Sequence, residues 1–463
     1  MRAHLILPPF PFLRKEKILL LNLAYLAAAA PSDVQLAIFD ANLNELSPKS
    51  FAAAVAGLET DLLLFTAHTY QIGYAARATR AAKAAHPRVK AIIGGPHVSV
   101  LPEETLRRYP EFDGAAIGEG EPTLREIFAA LGGGESLASV AGMAYREDKQ
   151  VHRTPGRDLL DDLDSLPFPA WHYFEVNRYS GFYPLRGTSI PVITARGCPY
   201  RCRFCARAHG NRMRYRSVES VLAEIERGLA AGHRTFAFVD ETFTVDRTRA
   251  LRICELLAGL RPERAVEWVA QTRVDRMDEE VLAAMARAGC LAVNVGIESG
   301  DQEVLSSLGK DITVEQIRRA IEICRRTGIK ALANVILGGP RETPATLRTT
   351  RRLVLSLRPD RLAVNQLVAF PGAEFYDMAQ RGDAGLRLLH EDWSYSHPQM
   401  RSNLHFPGVS QRRISWAQFY LYCRFYIWNA HLGALRGNVR PRFVWQYLRG
   451  LFRTIFVGRR PTT

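Results

Sequence analysis

The hydrophobic positions of this chain fall in short runs separated by helical stretches. Residues 4–7 are apolar, residues 18–29 are helical in composition, and residues 34–39 form a β-prone run ending at Asp40. A helical stretch at 50–58, an apolar run at 61–66, an Ala/Arg-rich helix at 73–85 and a strand at 89–93 follow. A last short strand at 114–117 leads into a helix ending at Leu131. Five short apolar strands separated by helices predict a parallel, doubly wound, Rossmann-like sheet. A second alternation begins at residue 190. Strands are predicted at 190–194, 235–239, 266–270, 291–296, 331–337 and 361–366, with helices at 218–230, 247–257, 279–288, 315–327 and 344–357. Six β/α units make a partial (β/α)6 barrel. The expected chain is therefore α/β in four parts: a sheet domain over 1–140, a linker over 141–185, a barrel over 186–376 and a mostly helical region over 377–463. Leu166-Pro167-Phe168-Pro169 punctuates the linker.

Composition changes this picture in two places. The 463 residues are 47% hydrophobic and 23% charged, which excludes disorder. The longest apolar run, residues 18–30, contains Asn22 and falls short of the roughly 20 residues a membrane helix needs. A cleaved signal peptide is disfavoured because residues 4–7 already read as a strand and Pro8-Pro9 as its turn, so a cytoplasmic location is expected. The net charge is +14, but residues 411–463 hold ten arginines and no acid, leaving +4 on the other 410 residues. That asymmetry argues against a whole-chain nucleic-acid binder.

Seven cysteines are too few for a disulfide framework, and three lie within eight positions, in Arg196-Gly197-Cys198-Pro199-Tyr200-Arg201-Cys202-Arg203-Phe204-Cys205. A closed zinc site usually takes four ligands. A 4Fe–4S cluster held by three thiolates leaves one iron open to a small molecule. Zinc completed by His209 is the competing reading. The predicted barrel strands end in Asp240-Glu241, Gln271 and Arg273, Glu298-Ser299 and Gly338-Gly339-Pro340, where barrels place their chemistry. In the first sheet, Thr66, Gly94 and Gly95 lie beyond carboxyl strand ends, where ligands bind such sheets. Those glycines either admit a flat group or simply make turns. Cys254, Cys290, Cys324 and Cys423 are scattered and read as packing.

Two resemblances enter on these motifs. Pro8-Pro9, Ala24-Tyr25-Leu26-Ala27, Asp40, Thr66, Gly94-Gly95-Pro96-His97 and Gly118-Glu119-Gly120-Glu121 resemble the cobalamin-binding domain that precedes many radical SAM domains. The three-cysteine loop and the strand-end residues resemble the radical SAM family itself. The resemblance implies a 4Fe–4S cluster on Cys198, Cys202 and Cys205, and S-adenosyl-L-methionine beside it. By the same resemblance Asp240 and Glu241 would receive its amino group, Glu298 and Ser299 its ribose, Arg273 its carboxylate and Phe204 its adenine. Without it, Asp240 and Glu241 read as a helix cap, Arg273 as a surface salt bridge and Phe204 as core. Gly338-Gly339-Pro340-Arg341-Glu342-Thr343 resembles the family's G-x-P-x-E-T turn. Cobalamin would lie on Thr66, Gly94 and Gly95. The D-x-H-x-x-G loop is absent and His97 follows a later strand, so the resemblance implies cobalamin without a protein imidazole beneath cobalt.

The implied activity is methylation of an unactivated carbon of a small or lipid-like substrate, through a 5′-deoxyadenosyl radical and methylcobalamin. An electron donor such as flavodoxin or ferredoxin is implied with it. Oxidation or cyclisation with the same cofactors is the alternative, and a cobalamin-responsive sensor is the alternative from another class. A methylthiotransferase is disfavoured because no cysteine precedes Cys198. The tail first concentrates Trp416, Phe419, Tyr420, Tyr422, Phe425, Tyr426 and Trp428. It then mixes Phe443, Trp445, Tyr447, Phe452 and Phe456 with Arg442, Arg449 and Arg453. That mixture fits a peripheral anionic membrane surface, RNA or the protein's own barrel, with nucleic acid the least favoured.

Overall fold

The structure is a computed structural model that describes residues 1–10, 17–207, 209–260, 265–390, 392–393, 397–399 and 401–428. Strands β1 (Arg2–Leu7), β2 (Gln35–Asp40), β3 (Leu62–Thr66), β4 (Lys90–Gly94) and β5 (Gly114–Ala116) pair in parallel in the order β2-β1-β3-β4-β5. The runs are apolar throughout because helices cover both faces of the sheet. Leu62 and Leu64 of β3 pack with Leu23, Leu124 and Phe128 on one side, while Leu63 and Phe65 pack with Phe51, Ala75 and Ala82 on the other. The sheet then gains β6 (Met143–Glu147) and β7 (Gln150–Arg153), both antiparallel. It therefore runs past residue 140 into the expected linker. The hairpin between β6 and β7 turns on Asp148 and Lys149, both at positive φ. Such turns usually carry Asn-Gly or Asp-Gly, and Asp-Lys lacks that signal.

The second sheet uses β8 (Ile190–Val192), β11 (Thr235–Phe238), β12 (Glu267–Thr272), β13 (Cys290–Glu298), β14 (Lys330–Leu337) and β15 (Arg361–Gln366), parallel and in chain order. Between β8 and β11, the short strands β9 (Ala195–Arg196) and β10 (Arg214–Tyr215) pair antiparallel on their own. The covering helices follow ordinary end rules. Helix Val314–Thr327 starts on a Thr313/Gln316 capping box, ends at left-handed Gly328 and buries Ile317, Ala320, Ile321 and Cys324 along one face.

The six-stranded order leaves β15 with an open edge, and the C-terminal region covers it. Tyr426 Oη accepts from Leu362 N–H at 3.1 Å and donates to Leu362 C=O at 2.9 Å. Tyr422 Oη accepts from Val364 N–H at 2.9 Å, and Gln418 Nε2 donates to Val364 C=O at 2.8 Å. Side chains of helix Gln411–Cys423 and the turn after it thus stand in for a missing strand. Of the readings of the tail, the barrel cap describes these residues; positions 442–456 lie outside the described residues. Among the described residues no helix is long and apolar enough to cross a membrane.

The carboxyl ends of the two sheets face each other. Asp40, closing β2, accepts from Tyr179 Oη at 3.2 Å, and Glu119, beyond β5, pairs with Arg196 and Arg214 on either side of the cysteine loop. Gly372, beyond β15, lies so close to Val100 that a Cβ there would come within 2.8 Å of its side chain.

Candidate functional site

β9 and β10 pair Arg196 with Arg214 and Ala195 with Tyr215, pinching the loop between them at the carboxyl end of β8. Within the loop, Cys198 N–H donates to Gly210 C=O at 3.2 Å, Cys205 N–H to Cys202 C=O at 3.1 Å and Arg203 N–H to Leu308 C=O at 3.0 Å. Cys198 and Cys202 are half-buried and Cys205 is exposed. Burial pushes the Cys198 and Cys202 thiols up, while Lys310 and Arg273 pull Cys202 back. Cys205 adds to the rise at both thiols, so it lies within electrostatic reach of each. Among the described residues, no three His, Cys, Asp or Glu side chains converge as a single metal ion requires. A polynuclear cluster makes no such demand, because its thiolates bind different irons. His209, the candidate fourth zinc ligand, is bonded through Nδ1 to Glu241 Oε1 at 2.5 Å.

That bond leaves Glu241 Oε2 buried and without a partner. An ammonium group is a fitting complement for such an oxygen. Asp240 is different. It is wholly enclosed, accepting from Thr194 N–H and Thr194 Oγ1, each at 2.5 Å, and from Ala195 N–H at 3.2 Å. Burial raises its carboxyl to about 6 against these bonds. Asp240 therefore fixes the β8–β9 turn, and within the protein these bonds are its partners. Ser299 also serves the backbone: its hydroxyl lies 3.0 Å from Thr350 Oγ1 and accepts from Asp301 N–H at 3.2 Å, at the start of the next helix.

The remaining candidates come together as one group. Arg273 is buried, not a surface salt bridge: it pairs with Asp275 at 2.9 Å, lies 3.7 Å over the Tyr200 ring and donates to Cys202 Sγ at 3.5 Å. Its other arm donates to Lys310 C=O at 2.7 Å. Lys310 Nζ pairs with Glu298 Oε1 at 2.8 Å and stands 5.9 Å above the half-buried Phe204 ring. Glu298 adopts a left-handed φ of 52° to turn into this pair. Gly296 makes the space, since a Cβ there would lie 2.1 Å from Glu298 Oε1. The Gly338–Thr343 segment is a helix entry in which buried Glu342 accepts from Gly338 N–H at 3.1 Å and Thr343 caps helix Pro344–Leu357.

In the first sheet, Thr66 and Gly94 stand side by side in register at the ends of β3 and β4. Asn22 Nδ2 donates to Thr66 Oγ1 at 3.1 Å. The β2-β1-β3 order puts the crevice between β1 and β3, whose connections run to opposite sides, so Thr66 stands at its β3 edge and Gly94 one strand further on. Gly95 is needed by the backbone itself: its φ is 116° and a Cβ would fall 2.6 Å from Ala67 C=O. Gly94 has no such constraint, its nearest neighbour being Ala116 at 3.7 Å. His97 is buried, with Nδ1 3.3 Å from the Thr69 hydroxyl and its ring edge-on to Trp393 at 5.9 Å.

Sequence reasoning missed Lys310, whose isolated position carries no spacing signal. The roles of Glu119 and Glu121 were hidden as well. Arg196 bonds both, at 2.7 and 2.5 Å, and Arg214 bonds Glu119 at 2.8 Å, all in a buried junction. Tyr25, from the Ala24–Ala27 motif, lies 5.5 Å under the same Arg196. Both motifs therefore join the two sheets.

Known proteins share this architecture. Residues 192–354 match the Radical SAM superfamily and residues 16–128 match the B12 binding domain. An uncharacterized methyltransferase of Pyrococcus horikoshii is 30% identical over 437 residues, 91% of this chain and 93% of the relative. The anaerobic magnesium-protoporphyrin IX monomethyl ester cyclase of Rubrivivax gelatinosus is 30% identical over 387 residues, 81% of this chain and 68% of that protein. Among solved structures, the radical S-adenosylmethionine methyltransferase TsrM of Kitasatospora setae, with cobalamin and a 4Fe–4S cluster bound, aligns at a TM-score of 0.68. That alignment covers 86% of this chain and 78% of TsrM at 20% identity, a likeness of fold.

Proposed function

The chain belongs to the radical SAM superfamily and carries a B12-binding domain, and from this premise we propose that it methylates a carbon atom of a small or lipid-like substrate. The observation that carries the reading is the meeting of the carboxyl ends of two sheets, one with Thr66 and Gly94 at its strand ends and one with the three thiols. When bound, the 4Fe–4S cluster, S-adenosyl-L-methionine and cobalamin supply one-electron chemistry and a transferable methyl group.

The side chains supply positions and charge. Cys198, Cys202 and Cys205 hold iron. Glu241 Oε2, lacking a protein partner, accepts from an ammonium group. Arg273, donating to Cys202 Sγ, favours the thiolate over the thiol. Lys310 pairs with Glu298 and so places a buried ion pair beside the loop. The Glu119–Arg196–Glu121 junction, with Arg214, keeps the two edges in register. An external one-electron donor such as a flavodoxin or ferredoxin completes the reading.

A second reading has one observation in its favour, the relative at 30% identity over 81% of this chain whose name describes ring closure. In that reading the same cofactors serve oxidation or cyclisation. Mass spectrometry of extracts from cells with and without the gene, grown on methionine with a deuterated methyl group, separates the two. Methyl transfer gives a product heavier by one labelled methyl. A product that has lost hydrogens and carries no label favours cyclisation, and identical extracts defeat both.

A further inference from the structure

Helix Gln411–Cys423 has two unlike faces. Ile414, Gln418 and Leu421 are buried against the barrel, and the opposite side shows Arg412, Arg413, Trp416 and Tyr420 to solvent. Trp416 and Tyr420 are 44% and 43% exposed, unusual for rings of that size. Positions 413, 416 and 420 fall in one stripe along the helix. Beside the stripe, between this helix and helix Pro344–Leu357, lies a groove of about 310 Å³. Its floor is aliphatic, with Leu337, Leu347 and Leu421, and its rim carries Arg348, Arg351 and Arg413. None of its lining residues is acidic. Arg351 lies 5.1 Å over the Tyr420 ring, which keeps that ring beside the groove mouth. The chain leaves this helix into residues 429–463, which add seven arginines and five large aromatics without one acid.

We propose that this groove and stripe are a docking surface for a bilayer containing anionic lipid. Trp416 and Tyr420 are amphipathic rings of the kind that settle between headgroups and acyl chains. Arg348, Arg351 and Arg413 meet lipid phosphates around a hydrocarbon floor. The aliphatic floor of Leu337, Leu347 and Leu421 favours acyl chains over RNA, which would use only the rings and arginines around it. Charge argues against the chain's own tail as occupant, since seven positive charges would approach three arginines with no acid between them. The surface contains none of the residues assigned to cofactors, so this inference stands apart from the methyl-transfer reading.

Flotation of the full-length protein with phosphatidylcholine vesicles, with and without phosphatidylglycerol, tests it. Binding is expected to the anionic vesicles only, and to weaken at high salt. The double substitution Arg348→Glu with Arg413→Glu should lower the partition coefficient about tenfold or more, since each change removes an attraction and adds a repulsion. Iron–sulfur absorbance reports that the variant is folded. Brominated lipid should quench the wild type more than Trp416→Phe. Wild-type protein that ignores anionic vesicles overturns the proposal. So does equal binding by the double variant, which would assign the contact to the tail alone. Capture of single-stranded RNA in place of vesicles, lost in the same variant, would also overturn it.

Discussion

At the scale of single residues, the seven cysteines divide by environment. Cys254, Cys290 and Cys324 are buried, and desolvation pushes the thiols of Cys254 and Cys324 up to about 12, so they pack and do not ionise. Replacing Cys198, Cys202 or Cys205 with Ala should therefore abolish iron–sulfur absorbance and reductive cleavage of S-adenosylmethionine. Cys254→Ala or Cys324→Ala should spare both. A variant lacking all three loop cysteines that still cleaves the cofactor would end the cluster assignment. Two other buried groups set opposing pH slopes. Burial, with Arg108 adding to it, lowers His97 to about 4 from an ordinary 6.5. Between those values the unfolded chain binds the extra proton, so this contribution to stability is lost as pH falls. Asp240, raised to about 6 from an ordinary 3.8, keeps its proton in the folded state while the unfolded chain loses it. Its contribution is lost as pH rises through that window. Each is worth at most about 3 kcal/mol by the size of its shift, so between pH 4 and 6 they largely offset. His97→Gln should unmask the Asp240 slope, giving a urea midpoint that climbs on acidification from pH 6 to 4. An unchanged slope would show that His97 titrates normally.

At the scale of elements, what was legible in the sequence was local. Residues 62–66 are buried end to end, so an apolar run sufficed to place β3, and Val218–Ala230 and Pro344–Leu357 have the expected bounds. What was not legible depends on partners far away in the chain. Glu119 and Glu121 stand in a readable motif, but their partner Arg196 is 77 and 75 residues distant, and spacing carries no sign of it. Tyr422 and Tyr426 belong to a stretch that left barrel cap, membrane surface and RNA open, because their partners are the backbone of an edge strand, known only once the sheet order is known. Asp240 and Ser299 lie at strand ends as expected, yet neighbouring backbone and hydroxyl groups occupy them. These long-range contacts make measurable predictions. Burial works to raise the Glu119 carboxyl, but its bonds to Arg214 and Arg196 outweigh burial and hold it below the ordinary range. Glu119→Gln would leave buried guanidinium charge uncompensated, a change on the order of 3–5 kcal/mol. Chemical denaturation should show a loss of that size, and a loss under 1 kcal/mol would mean the junction is solvated. Tyr422→Phe and Tyr426→Phe leave edge amides of β15 unpaired, at about 1–3 kcal/mol each.

For the whole molecule, the question is what the crevice of the first sheet offers a corrinoid as it faces the cysteine loop. Its glycines are not equivalent. Gly95 is dictated by the approach of Ala67, so a substitution there would disturb the backbone and report nothing about a ligand. Gly94 has room for a Cβ, with 3.7 Å to Ala116, so a longer side chain there adds bulk at the strand end without forcing the backbone. Gly94→Leu should therefore keep the wild-type unfolding transition and lose cobalamin. Equal binding by the variant would place the corrinoid elsewhere. Imidazole ligation can be tested on the same protein. His97 is committed to Thr69 and Trp393 inside the fold, whereas exposed His68 stands near the end of β3. With no D-x-H-x-x-G loop in the chain, the cob(II)alamin form of the purified protein should show an electron paramagnetic resonance spectrum without nitrogen splitting from a lower ligand. If splitting appears and His68→Ala removes it, His68 is that ligand and the facing sheets hold a histidine-ligated corrinoid. If splitting appears and survives His68→Ala, the nitrogen belongs to another group at the interface. Either result would defeat the expectation that no imidazole lies beneath cobalt, while Gly94→Leu would still decide whether the crevice is where cobalamin binds.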